Sequence, residues 1–284
     1  MPPTVPAPRL ARVTAPVRAF NERLAPQREV MRGLHVVPDV DGPRIRLGMA
    51  WAVVTFAAVA GGTATAAVWF TAAALVAAGN VCRLWRQREM RPAAPVAVFG
   101  AAGLPVAAGF GWLAMFAVLA AVVLFAVAWE PLAGGLRRPA QARVSLPLTL
   151  GIAVGIGLAA AAPVLVRGVG MTEAVVFVTL IGVYDASNYL VGSGAASAWE
   201  GPAAGAAFIL AVTLAVAAVF VPPFRGLSPW LFGFVTALLA PIGPYAASAL
   251  LPEPKAKAPG LRRLDVWIVV GPIWAVFAVL LLGK

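Results

Sequence analysis

The residue types that build most soluble active sites are scarce in this chain. It has one cysteine, Cys82, and one histidine, His35. A lone cysteine excludes an internal disulfide and a cysteine-rich metal site. With a single histidine beside it, a zinc site of the usual His/Cys kind cannot be assembled within one chain. Charge is scarce too, at 12% of 284 residues, about half the share in a soluble domain. Only 11 residues are Asp or Glu, against 22 Lys or Arg, and the lysines are Lys255, Lys257 and Lys284 alone. The arginine excess reads as codon bias, so an individual arginine is weak support for bidentate recognition. The net charge of +11 suits cations at a membrane surface rather than a nucleic-acid partner.

What the chain has in abundance is apolar surface: 61% hydrophobic residues and a mean hydropathy of +0.89. That excludes a disordered chain and an ordinary soluble domain. It also speaks against an outer-membrane barrel, whose strands alternate apolar and polar residues. The fold class is therefore all-α, a polytopic helical bundle in a membrane.

Charges mark where the helices end. Leu47–Cys82 and Pro92–Trp129 hold no charged residue over 36 and 38 positions. One span needs about 20 residues, so each run predicts two helices. Gly61–Gly62 and Gly109–Gly111 are the expected turns. Val144–Val166, Met171–Leu190, Pro202–Val221, Ser228–Leu251 and Asp265–Gly283 predict five more, making nine. With a cytoplasmic N-terminus, 19 cations fall on inside segments, leaving Arg167, Arg225 and Lys284 outside. Basic residues concentrate on the cytoplasmic side of membrane proteins, so the split supports both count and orientation.

Three regions follow. Residues 1–46 read as a basic cytoplasmic tail, because they lack the apolar stretch of a signal peptide. Within it, Arg9–Leu24 suits either an amphipathic segment on an anionic surface or a disordered tail. Residues 47–143 form a membrane region of four helices, and 144–284 one of five. Two small-xxx-small patterns, Gly151–Gly155 and Gly201–Gly205, predict close helix packing. No internal repeat supports an inverted-repeat transporter.

Few acids are placed to do chemistry. Glu173 sits near the outer surface, and Glu130 reads as an interfacial charge beside Arg137 and Arg138. Asp185 lies inside the sixth span, where a charge is costly and usually faces a polar cavity. Asn188 and Tyr189 follow it at helical spacing, so all three can share one face. A small-residue linker, 192–198, leads to Trp199-Glu200-Gly201, and Arg262-Arg263-Leu264-Asp265 opens the ninth span. All these segments are expected on the cytoplasmic side. Carboxylates from separate segments meeting there suit a hard cation and a phosphate; helix-end charges are the plainer alternative.

The stretch Tyr184-Asp185-Ala186-Ser187-Asn188-Tyr189-Leu190-Val191-Gly192 resembles a segment of the phosphatidate cytidylyltransferases (CDP-diacylglycerol synthases). In that family a Ser-Pro-x-Lys-Thr/Ser-x-Glu-Gly motif follows, whose end Glu200-Gly201 match, and Gly205 fits the glycines beyond. Gly243 and Ser248 match the ends of its Gly-Asp-x-x-Glu-Ser segment. Arg263 and Asp265 match its closing Asp-Arg-x-Asp. The chain departs from the pattern at Gly194-Ala195 for Ser-Pro, Ser197 for the lysine, Pro244 and Ala247 for two acids, and Arg262 for an aspartate.

The resemblance implies an inner-membrane enzyme of phospholipid biosynthesis. It would transfer CMP from CTP to phosphatidic acid, releasing pyrophosphate, with Mg2+. Asp185, Glu200 and Asp265 are the implied catalytic residues, with Asp185 and Asp265 on the metal. Asn188, Tyr189, Arg262 and Arg263 are the implied substrate contacts. Phosphatidic acid and CTP are the implied partners, with a homodimer left open. The departures leave two other readings standing. One is a non-catalytic relative that binds anionic lipid or a partner membrane protein. The other is a different activity: a CTP-dependent lipid kinase, another headgroup transferase or a transporter.

Nine spans from an inside start put residue 284 outside. A C-terminal tag is expected to be accessible only from the outer side of intact cells, and one accessible only from the cytoplasm overturns the topology.

Overall fold

A computed structural model describes residues 44–86, 88, 92–134, 139–193, 195–197 and 199–283. The basic tail, Gly194, Ala198, Lys284 and the side chains of Glu130, Arg137, Arg138 and Arg143 lie outside what it describes. Among the described residues the regular structure is all helical, with no strand. In order come α1 (Arg44–Ala60), α2 (Thr63–Arg86), α3 (Ala94–Ala108), α4 (Trp112–Gly134) and α5 (Pro139–Leu150). A π-helical turn, Gly151–Ile156, carries α5 into α6 (Gly157–Val169). Then follow α7 (Met171–Gly192), α8 (Glu200–Val219), α9 (Ser228–Leu239), α10 (Gly243–Ala249) and α11 (Asp265–Leu282).

Seven helical segments are long and apolar enough to cross a membrane, which makes this a multi-pass membrane protein. They are Thr63–Arg86, Trp112–Trp129, Ser145–Val169, Met171–Gly192, Glu200–Val219, Ser228–Ala249 and Asp265–Leu282. Helices α1 and α3 are apolar but shorter, at 17 and 15 residues. At 1.5 Å per residue, α3 reaches roughly 22 Å, short of a hydrocarbon core of about 30 Å.

The turns fall where glycine permits them. Gly62 and Gly111 have φ of 119° and 102°, a region that β-carbon-bearing residues rarely enter. Each closes a tight antiparallel pair, α1 on α2 and α3 on α4. The run Ser228–Leu251 is not one continuous helix. Pro241 and Pro244 cannot donate backbone hydrogen bonds, and the chain tightens to a 3-10 turn at Ala240–Ile242 before α10 begins.

Apolar burial drives little association inside a bilayer, so helices there pack through small residues and close contacts. The core is accordingly rich in alanine, with Ala66, Ala74, Ala101, Ala159, Ala160 and Ala161 fully buried. Of the two small-xxx-small patterns, Gly201–Gly205 packs helix on helix, and the other meets a single side chain beyond α10. Gly151 and Gly155 lie against Leu250. A β-carbon on Gly201 would sit 2.5 Å from Asn188 Oδ1 and 2.9 Å from the Asn188 carbonyl; one on Gly205 would sit 2.6 Å from the Tyr184 ring. These two glycines seat α8 on α7. Larger side chains gather in one aromatic cluster. Phe177 stacks on Trp274 at 4.6 Å, and Phe232 lies 4.3 Å from the same indole.

The joints at Thr63, Gly109–Gly111, Gly170 and Pro222–Pro223 and the end of α11 meet around one cavity, at one end of the bundle. The opposite end gathers Trp85, which donates to the Leu250 carbonyl at 2.9 Å, and an Arg88–Glu253 ion pair.

Gly201→Ala is expected to lower the unfolding midpoint in detergent, by about 1–3 kcal/mol of stability, because its β-carbon meets backbone on α7. Gly79→Ala, whose β-carbon meets nothing within 4 Å, serves as the neutral control in the same thermal melt.

Candidate functional site

The candidate site forms where α7, the turn before α11, and α10 come together at the end that holds Trp85 and Glu253. Glycine sets the approach. A β-carbon on Gly243 would fall 2.5 Å from the Asp265 carbonyl oxygen and 2.6 Å from Val266 Cα. Only a bare backbone lets α10 start against the first residue of α11. That contact brings Pro244, Tyr245 and Ser248 beside the Leu261–Arg263 turn.

Asp265 opens α11, and its Oδ1 accepts the Val266 N–H at 2.8 Å. A carboxylate in the first helical turn is favoured by the helix dipole. Asp185 lies on α7, as an exposed residue. Asp185 and Asp265 interact electrostatically, and both feel Arg263. Tyr184 lies in the field of both carboxylates. Its buried hydroxyl has no hydrogen-bond partner among the described residues.

The two arginines divide their work. Arg263 reaches back to α1, its guanidinium 3.2 Å from where a Gly48 β-carbon would sit. Arg262 is committed to the protein. Its Nη1 donates to Ser248 Oγ at 3.0 Å and to the Pro244 carbonyl at 3.4 Å, and its Nη2 donates to the Pro254 carbonyl at 2.6 Å. Burial lowers the Arg262 pKa from its ordinary value, and the attraction of Asp265 works the other way. The guanidinium thus ties α10, the 250–260 loop and the α11 turn together.

The remaining sequence candidates have contacts of their own. Glu200 is exposed and accepts the Ser197 N–H at 3.0 Å, closing its own loop at the start of α8. Asn188 is turned to α8 by its contact with Gly201. Tyr189 is half-buried on α7. Among the described residues no cluster of three or more His, Cys, Asp or Glu residues is placed to hold a metal ion. Two features escaped the sequence reading. Gly48 under Arg263 left no signal in the sequence. Ser248 was visible as a motif position, but its pairing with Arg262 was not.

No family model matches the chain, and neither does any curated protein or solved structure.

Arg262→Lys keeps the charge and loses the fork that serves three acceptors. Faster limited proteolysis of the 250–260 loop is expected, with about 1–3 kcal/mol less stability. Wild-type cleavage rates in the variant overturn the tie.

Proposed function

We propose that this chain is a relative of the phosphatidate cytidylyltransferases. In this reading it crosses the cytoplasmic (inner) membrane nine times from an inside N-terminus and handles the phosphate of an anionic lipid at the Asp185–Asp265 site. The observation that carries the reading is the electrostatic grouping of Asp185, Asp265 and Arg263 at one end of the bundle. These residues come from segments far apart in sequence, in the order of the family's motifs. The nine-span topology rests on the charge split, with α1 and α3 counted as short spans.

The donors present fit one hard cation. Magnesium binds through one or two carboxylates and keeps its remaining positions for water and phosphate, and Asp185 and Asp265 offer that pair. A magnesium ion there supplies charge neutralisation on the phosphates of CTP and phosphatidic acid. The chain's own residues do the rest. Arg263 contributes a fixed positive charge beside the carboxylates, and Arg262 holds the turn that carries both Arg263 and Asp265.

One observation favours the non-catalytic variant of this reading. Glu200 satisfies the Ser197 amide, and Ser197 stands where the family has its lysine. The motif cation is therefore absent from the sequence, and the third acid is engaged by its own loop. Losing one preorganised charge-stabilising group typically costs about 100- to 1000-fold in rate.

Purified protein supplied with CTP, phosphatidic acid and magnesium is expected to form CDP-diacylglycerol at least about 100-fold more slowly than a family member with every motif residue in place. Phosphatidic acid binding is expected to persist without magnesium and to weaken in Arg263→Ala. Robust turnover abolished by Asp185→Asn overturns the weakened-site view. Absence of both turnover and phosphatidic acid binding overturns the family reading itself.

A further inference from the structure

A cavity of about 1060 Å³ opens at the end of the bundle opposite Asp185 and Asp265. The joints between helices wall it, with Trp112, Leu165, Val279 and Leu282 as its apolar lining. Two charged side chains, Glu173 and Arg225, also line it. Glu173, in the first turn of α7, is only 8% exposed. Its carboxylate folds back over Gly170 yet takes part in no hydrogen bond or ion pair among the described residues. Arg225 is exposed in the loop before α9. Its backbone N–H is held by Ser228 Oγ at 3.0 Å, but its guanidinium has no partner among the described residues. The cavity wall thus carries an anion and a rim cation that do not pair with each other.

The Glu173 residue is largely covered, but its carboxylate lies on the cavity wall and pairs with no protein group among the described residues, so its acceptor sites are left for whatever enters the cavity. The helix dipole at the start of α7 favours the negative charge there. A hard divalent ion needs six or more oxygen ligands, and this wall offers one carboxylate with two threonine hydroxyls, Thr63 and Thr172. An ammonium group asks for less: one carboxylate, and an aromatic face such as Trp112. The guanidinium at the rim suits a phosphate. The volume exceeds what a headgroup alone fills, and the rest of the wall is apolar.

We propose that this cavity binds a zwitterionic phosphate–ammonium amphiphile, with its ammonium at Glu173, its phosphate at Arg225 and its chain along Leu165, Val279 and Leu282. The site is separate from the Asp185–Asp265 group and does not depend on the function proposed for that group.

Binding is measured on the full chain in phosphatidylglycerol nanodiscs with dodecylphosphoethanolamine, and with dodecyl phosphate, which lacks the ammonium. Wild type is expected to prefer the former by about 10- to 100-fold, the scale of one hydrogen bond to a charged group. Glu173→Gln is expected to erase that preference while leaving dodecyl phosphate binding unchanged. Arg225→Gln is expected to weaken dodecylphosphoethanolamine binding about tenfold or more. Gly168 lines the cavity, and a β-carbon there meets nothing within 4 Å. Gly168→Leu therefore adds bulk at the cavity wall without a β-carbon clash and is expected to weaken binding of both amphiphiles. Equal wild-type affinity for the two amphiphiles, or a preference that survives Glu173→Gln, overturns the proposal. If Glu173→Gln does not fold, the wild-type preference and the weaker binding of both amphiphiles to Gly168→Leu decide the matter. Undiminished binding to Gly168→Leu places the amphiphile elsewhere.

Discussion

The bundle depends on how closely backbones approach one another. Lipid rewards no helix for hiding apolar surface from it, so a helix pair needs a seam without β-carbons. Gly201 and Gly205 make that seam between α7 and α8, and Gly243 makes it between α10 and α11. The candidate site is a by-product of these seams. With Tyr184 and Asn188 turned into α8, Asp185 is left on another face of α7, open to the Arg262–Asp265 turn. With α10 pressed against Asp265, Ser248 and the Pro244 carbonyl come within reach of Arg262.

Charge then follows geometry. The 284-residue chain has few acids to spend, and two of them sit near each other with like sign. Two arginines consecutive in sequence keep that pair tolerable, by different means. Arg263 contributes its field to both carboxylates. Arg262 contributes through structure, because its hydrogen bonds fix the turn on which Asp265 stands. Arg262 is therefore a brace of the fold, held by Ser248 and two backbone carbonyls.

The helical membrane character was legible because its causes are local. Uncharged runs and paired glycines need no knowledge of neighbours, and Gly62 and Gly111 turn where they were expected to. The interruption at Ala240–Ile242 was written in Pro241 and Pro244, but a hydropathy reading averages over it. The site was legible only in outline. Helical spacing put Asp185, Asn188 and Tyr189 on one face, whereas the contact with Gly201 draws Asn188 to α8. The spacing of charges carried no record of Arg262's three acceptors, which come from segments folded together only in the bundle. Glu173 read as a surface acid, because nothing in its neighbourhood in sequence reveals that the ends of α3, α6 and α11 line a cavity with it.

Two membrane helices of similar composition meet different surroundings in this fold. In Ser145–Val169 72% of the hydrophobic window is buried inside the protein, and in Trp112–Trp129 only 11%. The first must satisfy its neighbours atom by atom, as Gly157 does against Ala101 and Leu104. The second must satisfy chiefly the bilayer, for which Leu113, Leu124 and Phe125 are interchangeable with other apolar side chains of similar size. Related chains are thus free to drift along α4 while holding α6 nearly still. Sequence divergence in such a protein records lipid contact as much as evolutionary distance.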